Sequence, residues 1–128
     1  MPVSFVRTGI VPASPETIFD TWIDGDGHAS MTGAAATSDG QEGGTFRAWD
    51  GFISGTYTAL ERPRRLTFDW RTTAFDADAA DSKVEVLLAP HTGGTEVTIR
   101  HQGIPDGQPD YDQGWLDHYL SPMARHWG

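Results

Sequence analysis

Apolar and polar residues alternate along several segments of the chain, a pattern typical of β-strands that bury one face. In the clearest example, Leu66, Phe68 and Trp70 alternate with Thr67 and Asp69. Two later segments repeat the pattern, with Val84, Val86 and Leu88 and then Val97, Ile99 and His101 on one side. The chain therefore predicts a sheet with one apolar face that needs a cover.

Turn-forming residues divide this part of the chain into short segments. Asp50-Gly51, Arg62-Pro63 and Thr92-Gly93-Gly94 stand between the apolar segments, and such residues favour tight turns. Connections this short predict antiparallel neighbours. The predicted strands cover residues 3–11, 34–38, 45–50, 53–61, 64–73, 83–90 and 95–102.

A first helix is predicted after the first strand. Ser14-Pro15-Glu16 combines an N-cap residue, a proline for the first helical position and an early acidic residue. The apolar pattern carries this helix to about Ile23. We expect Asp24-Gly25-Asp26-Gly27 to end it, and only a short helical turn to follow near Ala29.

A longer helix is predicted over residues 111–127, at the end of the chain. One side of it is apolar and consists of Trp115, Tyr119, Leu120, Met123 and Trp127. Pro122 is expected to kink this helix, because proline removes a backbone donor and crowds the preceding turn. The predicted arrangement is a single α+β domain over residues 1–128, in which a curved antiparallel sheet wraps around the long C-terminal helix.

Composition excludes several classes of function. The formal net charge is -9, from 18 acidic and 9 basic residues, and such a surface disfavours nucleic acids and anionic membranes as partners. Cysteine is absent, which removes zinc–thiolate sites and cysteine nucleophiles. No apolar run approaches the length of a membrane span, and the first residues lack the pattern of a signal peptide. We therefore expect a cytoplasmic protein.

Short motifs are distributed over nearly the whole chain. They are Ala13-Ser14-Pro15-Glu16 with Phe19, His28-Ala29-Ser30-Met31-Thr32-Gly33, Gly43-Gly44-Thr45-Phe46, Asp50-Gly51-Phe52-Ile53-Ser54-Gly55, Arg65-Leu66 with Trp70-Arg71, Asp81-Ser82, Gly94-Thr95, Gly103-Ile104-Pro105, and Gly114-Trp115 with Tyr119 and Pro122. In their order and spacing, these motifs resemble the activator-of-heat-shock-protein-90-ATPase family.

The resemblance implies the helix-grip fold of START-like domains. It covers the carboxy-terminal domain of the eukaryotic co-chaperone that stimulates the ATPase of heat-shock protein 90. That co-chaperone has a separate amino-terminal domain with much of the chaperone contact, and Met1 stands only a few residues before the first predicted strand. We therefore expect that ATPase activation does not transfer to this chain. The resemblance also implies that an apolar small molecule is a possible ligand, because some START-like relatives bind one.

Motifs for metal, nucleotide and nucleophilic chemistry are absent from the sequence. The five histidines form no metal-binding spacing, and no glycine-rich phosphate loop or nucleophile elbow occurs. We therefore expect no cofactor and no enzymatic activity. His101, on the apolar side of its strand, is a candidate ligand contact or general base, but a buried structural histidine is the more common case. His28 is predicted in a loop near a pocket mouth.

The five tryptophans come from both predicted helices and two strands. Aromatic walls with a few polar tips suit a pocket for a small molecule, although the same side chains can simply fill a core. The leading hypothesis is a non-catalytic domain that binds a hydrophobic small molecule, a protein partner, or both. The candidate pocket residues are Trp22, Met31, Trp49, Phe68, Trp70, His101, Trp115 and Tyr119, with a slight preference for the core in the case of Trp70 and Trp115.

Two alternatives stay open. The first is a co-chaperone-like regulator of heat-shock protein 90, which an exposed apolar patch over residues 28–33 would favour. The second is a cyclase- or hydratase-like enzyme, which would need His101 and a second ionisable group to converge in an open pocket. The identity of the ligand or partner and the oligomeric state are left open by the sequence.

Overall fold

The computed structural model describes residues 3–128. Met1 and Pro2, which begin the segment tested for a signal peptide, lie outside the described residues. In chain order the elements are β1 (Val3–Val11), α1 (Pro15–Trp22), α2 (Gly25–Thr32), β2 (Thr37–Ser38), β3 (Thr45–Ala48), a 3₁₀ turn (Trp49–Gly51), β4 (Ile53–Glu61), β5 (Arg65–Thr72), β6 (Ser82–His91), β7 (Gly94–Ile104), α3 (Tyr111–Trp115), a π-helical turn (Leu116–Leu120) and α4 (Ser121–Trp127).

The strands form one antiparallel sheet in the order β1-β7-β6-β5-β4-β3-β2. Its central strands alternate between buried and exposed residues as predicted, and Leu66, Val86 and Ile99 on the inner face have no exposed surface. The C-terminal helix, made of α3, the π-helical turn and α4, covers that face. The predicted α+β fold, a curved antiparallel sheet around a long C-terminal helix, is confirmed.

The first helix begins as predicted, but the segment after it differs. The first helix ends at Trp22, two residues before Asp24, as predicted, but Asp24 then starts a second helix: its Oδ2 accepts a hydrogen bond of 2.8 Å from the backbone N–H of Gly27 and so caps α2. The helix continues for eight residues and ends at Gly33, whose φ of 86° is typical of a C-terminal glycine. The prediction of a single turn near Ala29 was wrong because aspartate followed by glycine suits a helix N-cap as well as a turn. The edge strand β2 is correspondingly shorter than the predicted 34–38.

The C-terminal helix follows the predicted stripe. Tyr111, Trp115, Tyr119, Leu120 and Met123 are buried, and Trp127 is half-buried at the end. Close to Pro122 the helix has a wide π-helical turn. A wider turn moves the backbone carbonyl of the residue four positions before the proline away from the proline ring. The helix therefore continues past Pro122 to Trp127.

The helix lies close to β1 as well as to the centre of the sheet. Leu120 Cδ1 would be 3.2 Å from a Cβ at Gly9, so the absence of a side chain there permits the approach. Arg7 Nε donates to Asp112 Oδ1 at 2.8 Å and ties the start of the helix to the same strand. No helix among residues 3–128 is both long and apolar enough to cross a membrane.

We predict that the C-terminal helix closes the core through its buried side. Trp115→Ala removes a side chain that is 3% exposed, and such truncations lower the free energy of unfolding by about 3–5 kcal/mol. Asp117→Ala, on the exposed side of the helix, should change it by less than about 0.5 kcal/mol. Denaturant midpoints measure both variants. Equal losses would contradict this helix orientation.

Candidate functional site

A partly open pocket of about 220 Å³ lies between the C-terminal helix and the turn that joins β3 to β4. Its walls are almost entirely aromatic or aliphatic. The lining residues are Trp49, Phe52, Ile53, Trp70, Tyr111, Gly114, Trp115, His118 and Tyr119. A concave apolar site of this kind is the usual place for a small-molecule ligand.

One wall of the pocket is formed by a turn with an unusual backbone conformation. Trp49 and Asp50 have φ values of 51° and 58°, and Gly51 follows with 91°. A left-handed conformation suits glycine and tolerates aspartate, but for a residue as bulky as tryptophan it is an outlier. Two hydrogen bonds to Ala35 hold the turn, because the N–H of Asp50 donates to the Ala35 carbonyl at 3.0 Å and Asp50 Oδ1 accepts from the Ala35 N–H at 3.1 Å.

The opposite wall is a stripe of the C-terminal helix. Its residues recur at helical spacing: Tyr111, Gly114, Trp115, His118 and Tyr119. Gly114 has no side chain in the middle of this wall, and a Cβ there would meet only His118 Cδ2, at 3.9 Å. Because glycine weakens a helix by about 0.5–1 kcal/mol relative to alanine, its position beside the pocket is consistent with a need for space.

The polar ends of Tyr111 and Trp115, two rings of the helix wall, have partners outside the pocket. The Tyr111 hydroxyl donates to Gln108 Oε1 at 2.8 Å, and it also lies 2.6 Å from Thr72 Oγ1. The Trp115 indole N–H donates to His101 Nδ1 at 3.0 Å. The wall therefore presents ring surfaces to the pocket, while the hydrogen-bonding ends of these rings are satisfied elsewhere.

His101 is the centre of a buried hydrogen-bond chain. Because the Trp115 N–H donates to Nδ1, the imidazole is neutral with its proton on Nε2, which donates to Ser82 Oγ at 2.8 Å. Ser82 Oγ then donates to the Trp70 carbonyl at 2.7 Å. Burial lowers the pKa of His101 from 6.5 to about 3. Both ring nitrogens are engaged and the side chain is 0% exposed, so His101 has no free lone pair for a substrate.

His28 forms a second anchor and was wrongly predicted to lie in a loop. It is in the first turn of α2, where its Nδ1–H donates to the Trp22 carbonyl at 2.9 Å. Its Nε2 is therefore the acceptor for the Tyr119 hydroxyl, at 2.7 Å. Burial lowers the pKa of His28 and raises that of Tyr119. This contact joins the short helices to the C-terminal helix behind the pocket.

The candidate residues from the sequence divide into two groups. Trp49, Trp70, Trp115 and Tyr119 line the pocket, and the last three are also buried in the core. The other four, Trp22, Met31, Phe68 and His101, do not line it and are buried in the core.

Five lining residues were not predicted from the sequence: Phe52, Ile53, Tyr111, Gly114 and His118. Tyr111 lies four residues before Trp115 and His118 three residues after it, so the helix periodicity was a usable signal for them. Phe52 and Ile53 carried no such signal because their place depends on the left-handed turn before them.

Within residues 3–128, no cluster of three or more histidine, aspartate or glutamate side chains is arranged to hold a metal ion. The polar side chain at the mouth of the pocket is that of His118, which is exposed. Nothing in the described part of the lining provides a carboxylate.

We predict that the two buried histidines make the protein sensitive to acid. Burial lowers both pKa values below the ordinary 6.5 in the folded state, that of His101 to about 3. Below pH 6.5 the unfolded chain therefore binds more protons at these two positions than the native chain does, in the case of His101 down to about pH 3. The free energy of unfolding should therefore fall with pH below 6.5, by up to about 1.4 kcal/mol per pH unit for each group. Chemical denaturation at several pH values measures this slope.

The variant His101→Gln should have a shallower slope than the wild type, although its stability near neutral pH is lower. His91→Gln removes an exposed histidine and should keep the wild-type slope. A wild-type slope in His101→Gln would contradict the assignment of acid sensitivity to this group.

The chain matches the model of a known family and resembles proteins of that family. The matching model is described as "Activator of Hsp90 ATPase homolog 1-like protein" and covers residues 12–126. The human protein "Activator of 90 kDa heat shock protein ATPase homolog 1" is 25% identical over 116 residues, which are 90% of this chain and 34% of the human protein. The chain thus spans about a third of the length of the curated relatives it matches.

Solved structures support the same fold. An HSP90 activator from Plasmodium falciparum has a TM-score of 0.83 at 22% identity and covers 94% of this chain and 92% of its own. CalU16 from Micromonospora echinospora has a TM-score of 0.78 at 24% identity and covers 98% of this chain and 76% of its own. The resemblance seen in the sequence motifs is confirmed: the chain belongs to the Activator of Hsp90 ATPase homolog 1-like family.

Proposed function

We propose that this domain binds a small, largely apolar molecule in the pocket between the C-terminal helix and the β3–β4 turn. The observation that carries the proposal is the pocket itself, about 220 Å³ in volume and lined mainly by aromatic rings. Core rings normally fill such a space, because an empty cavity lowers stability. An apolar ligand would bury the exposed surface of Phe52, which is 39% exposed at this site.

The same geometry supports a binding role without catalysis. The general base considered for an enzyme, His101, is neutral, buried and bonded at both nitrogens. It does not line the pocket, and no acidic side chain does so among the described lining residues. His118 does line the pocket, but the enzyme hypothesis requires two ionisable groups to converge, and no carboxylate accompanies this imidazole among the described lining residues. We therefore propose that the domain has no enzymatic activity and needs no cofactor. We also propose a location in the reducing cytoplasm, with which the absence of cysteine is compatible.

We predict that naphthalene, a purely apolar two-ring molecule, binds the wild-type domain. Ten non-hydrogen atoms at about −0.5 kcal/mol each correspond to a Kd on the order of 0.1–1 mM. Gly114→Leu should abolish binding, because the new side chain enters open space in the wall and does not remove any core contact. Calorimetry measures the affinity, and a thermal melt shows whether the variant is folded.

The matched control is Gln113→Leu, which adds the same side chain at an exposed position of the same helix. It should bind naphthalene as the wild type does. Absence of binding to the wild type would contradict the proposal, and equal binding to Gly114→Leu would place the ligand elsewhere.

A second candidate function is regulation of heat-shock protein 90, since the human relative is named as an activator of its ATPase. The exposed apolar patch that would favour this function is not formed by residues 28–33, because His28, Met31 and Thr32 are buried there. We therefore expect no strong stimulation by this domain. Phosphate release by a heat-shock protein 90 homologue, with the domain at stoichiometric ratio, measures it. A large increase would make this the leading function.

A further inference from the structure

We propose that Trp49 determines the specificity of the pocket, and that its natural ligand is a flat, uncharged molecule with a hydrogen-bond acceptor for the Trp49 indole N–H. This inference rests on the proposed function and adds a polar requirement to it. From the sequence, Trp49 was a candidate for the apolar wall of a pocket. The inference adds a second role for it, as a hydrogen-bond donor to the ligand.

The first observation is an unpartnered donor. Among the described residues, Trp49 Nε1 is the one buried side-chain nitrogen or oxygen that has no hydrogen-bond partner. Nearby polar groups of the site do have partners, as the Trp115 N–H to His101 shows. Native proteins leave few buried donors unpaired, because each lowers stability. An acceptor supplied by a ligand would satisfy this group.

The second observation is the backbone that presents the indole. Trp49 and Asp50 are the only non-glycine residues with positive φ among residues 3–128. Strained conformations of this kind persist when surrounding contacts enforce them, and they cluster at ligand-binding sites. Here the two hydrogen bonds between Asp50 and Ala35 enforce the turn. The strain and the unpaired donor thus occur at one residue, and that residue lines the pocket.

The third observation is the neighbour of the indole, a side chain that can move to let an acceptor reach the buried N–H. His118 meets Trp49 edge-on, with ring centroids 4.8 Å apart, and it is exposed. An exposed side chain can change rotamer at little cost, so His118 can turn aside when a ligand enters. No arginine or lysine stands among the described lining residues, and the net charge of the chain is -9. An uncharged acceptor, such as a carbonyl or an aromatic nitrogen, therefore fits better than a carboxylate or phosphate.

Two probes of the same shape test this inference. Naphthalene and quinoline differ only in that quinoline carries an acceptor nitrogen, which is neutral near neutral pH. Wild-type protein should bind quinoline about three- to tenfold more tightly than naphthalene, the gain expected of one hydrogen bond. Trp49→Phe keeps an aromatic ring without the donor, so this preference should vanish while naphthalene still binds.

A second measurement requires no variant. The indole N–H signal of Trp49 in a proton–nitrogen NMR spectrum should move downfield with quinoline and not with naphthalene. Equal affinity of the wild type for the two probes would overturn the inference and leave the proposed function intact. A quinoline preference that survives in Trp49→Phe, with no downfield shift, would assign the contact to another donor and also overturn it. If neither probe binds, both the inference and the proposed function fail.

Discussion

The hydrogen bond from Trp115 to His101 fixes the C-terminal helix on the sheet, and the geometry of the pocket depends on it. It begins a chain of donations that runs through Ser82 to the backbone carbonyl of Trp70. Each donor has one acceptor, so the chain allows a single tautomer of the imidazole. Such a buried network is stable only when every member is satisfied. It therefore specifies one helix position, whereas apolar packing alone would tolerate small shifts.

The contact between His28 and Tyr119 fixes the same helix from the opposite side. Trp22 accepts from His28 through its carbonyl and stacks on Tyr119 with ring centroids 5.1 Å apart. Two neutral histidines thus hold successive turns of the helix. His118, between these anchors, and Gly114, directly before the first of them, line the pocket. Both anchored side chains thus belong to the helix wall of the pocket, and the exposed side chains of the lining are His118 and Phe52.

Most of the fold could be predicted from the sequence, because alternation of apolar residues and turn signals are local properties. The strands from residue 53 onward and the stripe on the last helix follow directly from such patterns. The second helix was predicted too short, as a single turn near Ala29, because Asp24 followed by glycine is typical of both a turn and a helix N-cap. Only the burial of His28 and Met31 in the core selects the helix. The π-helical turn also has no local signature beyond the proline that follows it.

The candidate site was predicted in part, for a related reason. Trp49, Trp70, Trp115 and Tyr119 were selected as aromatic residues, and they do line the pocket. Composition could not separate them from Trp22 and Phe68, which have the same chemistry but are enclosed by the core. The left-handed turn was beyond prediction, since Asp50-Gly51 indicates a turn but does not place a tryptophan within it. Whether the indole N–H of Trp49 has a partner depends on every atom around it, and these atoms come from distant parts of the chain.

A crystal structure of the domain grown with naphthalene would show whether the pocket between the C-terminal helix and the β3–β4 turn holds an apolar ligand. We expect electron density for the two rings between Trp49 and Trp115, with His118 displaced and Trp49 still at positive φ. Density at another site, or a Trp49 in an extended conformation with its indole in solvent and the pocket closed by core side chains, would contradict it.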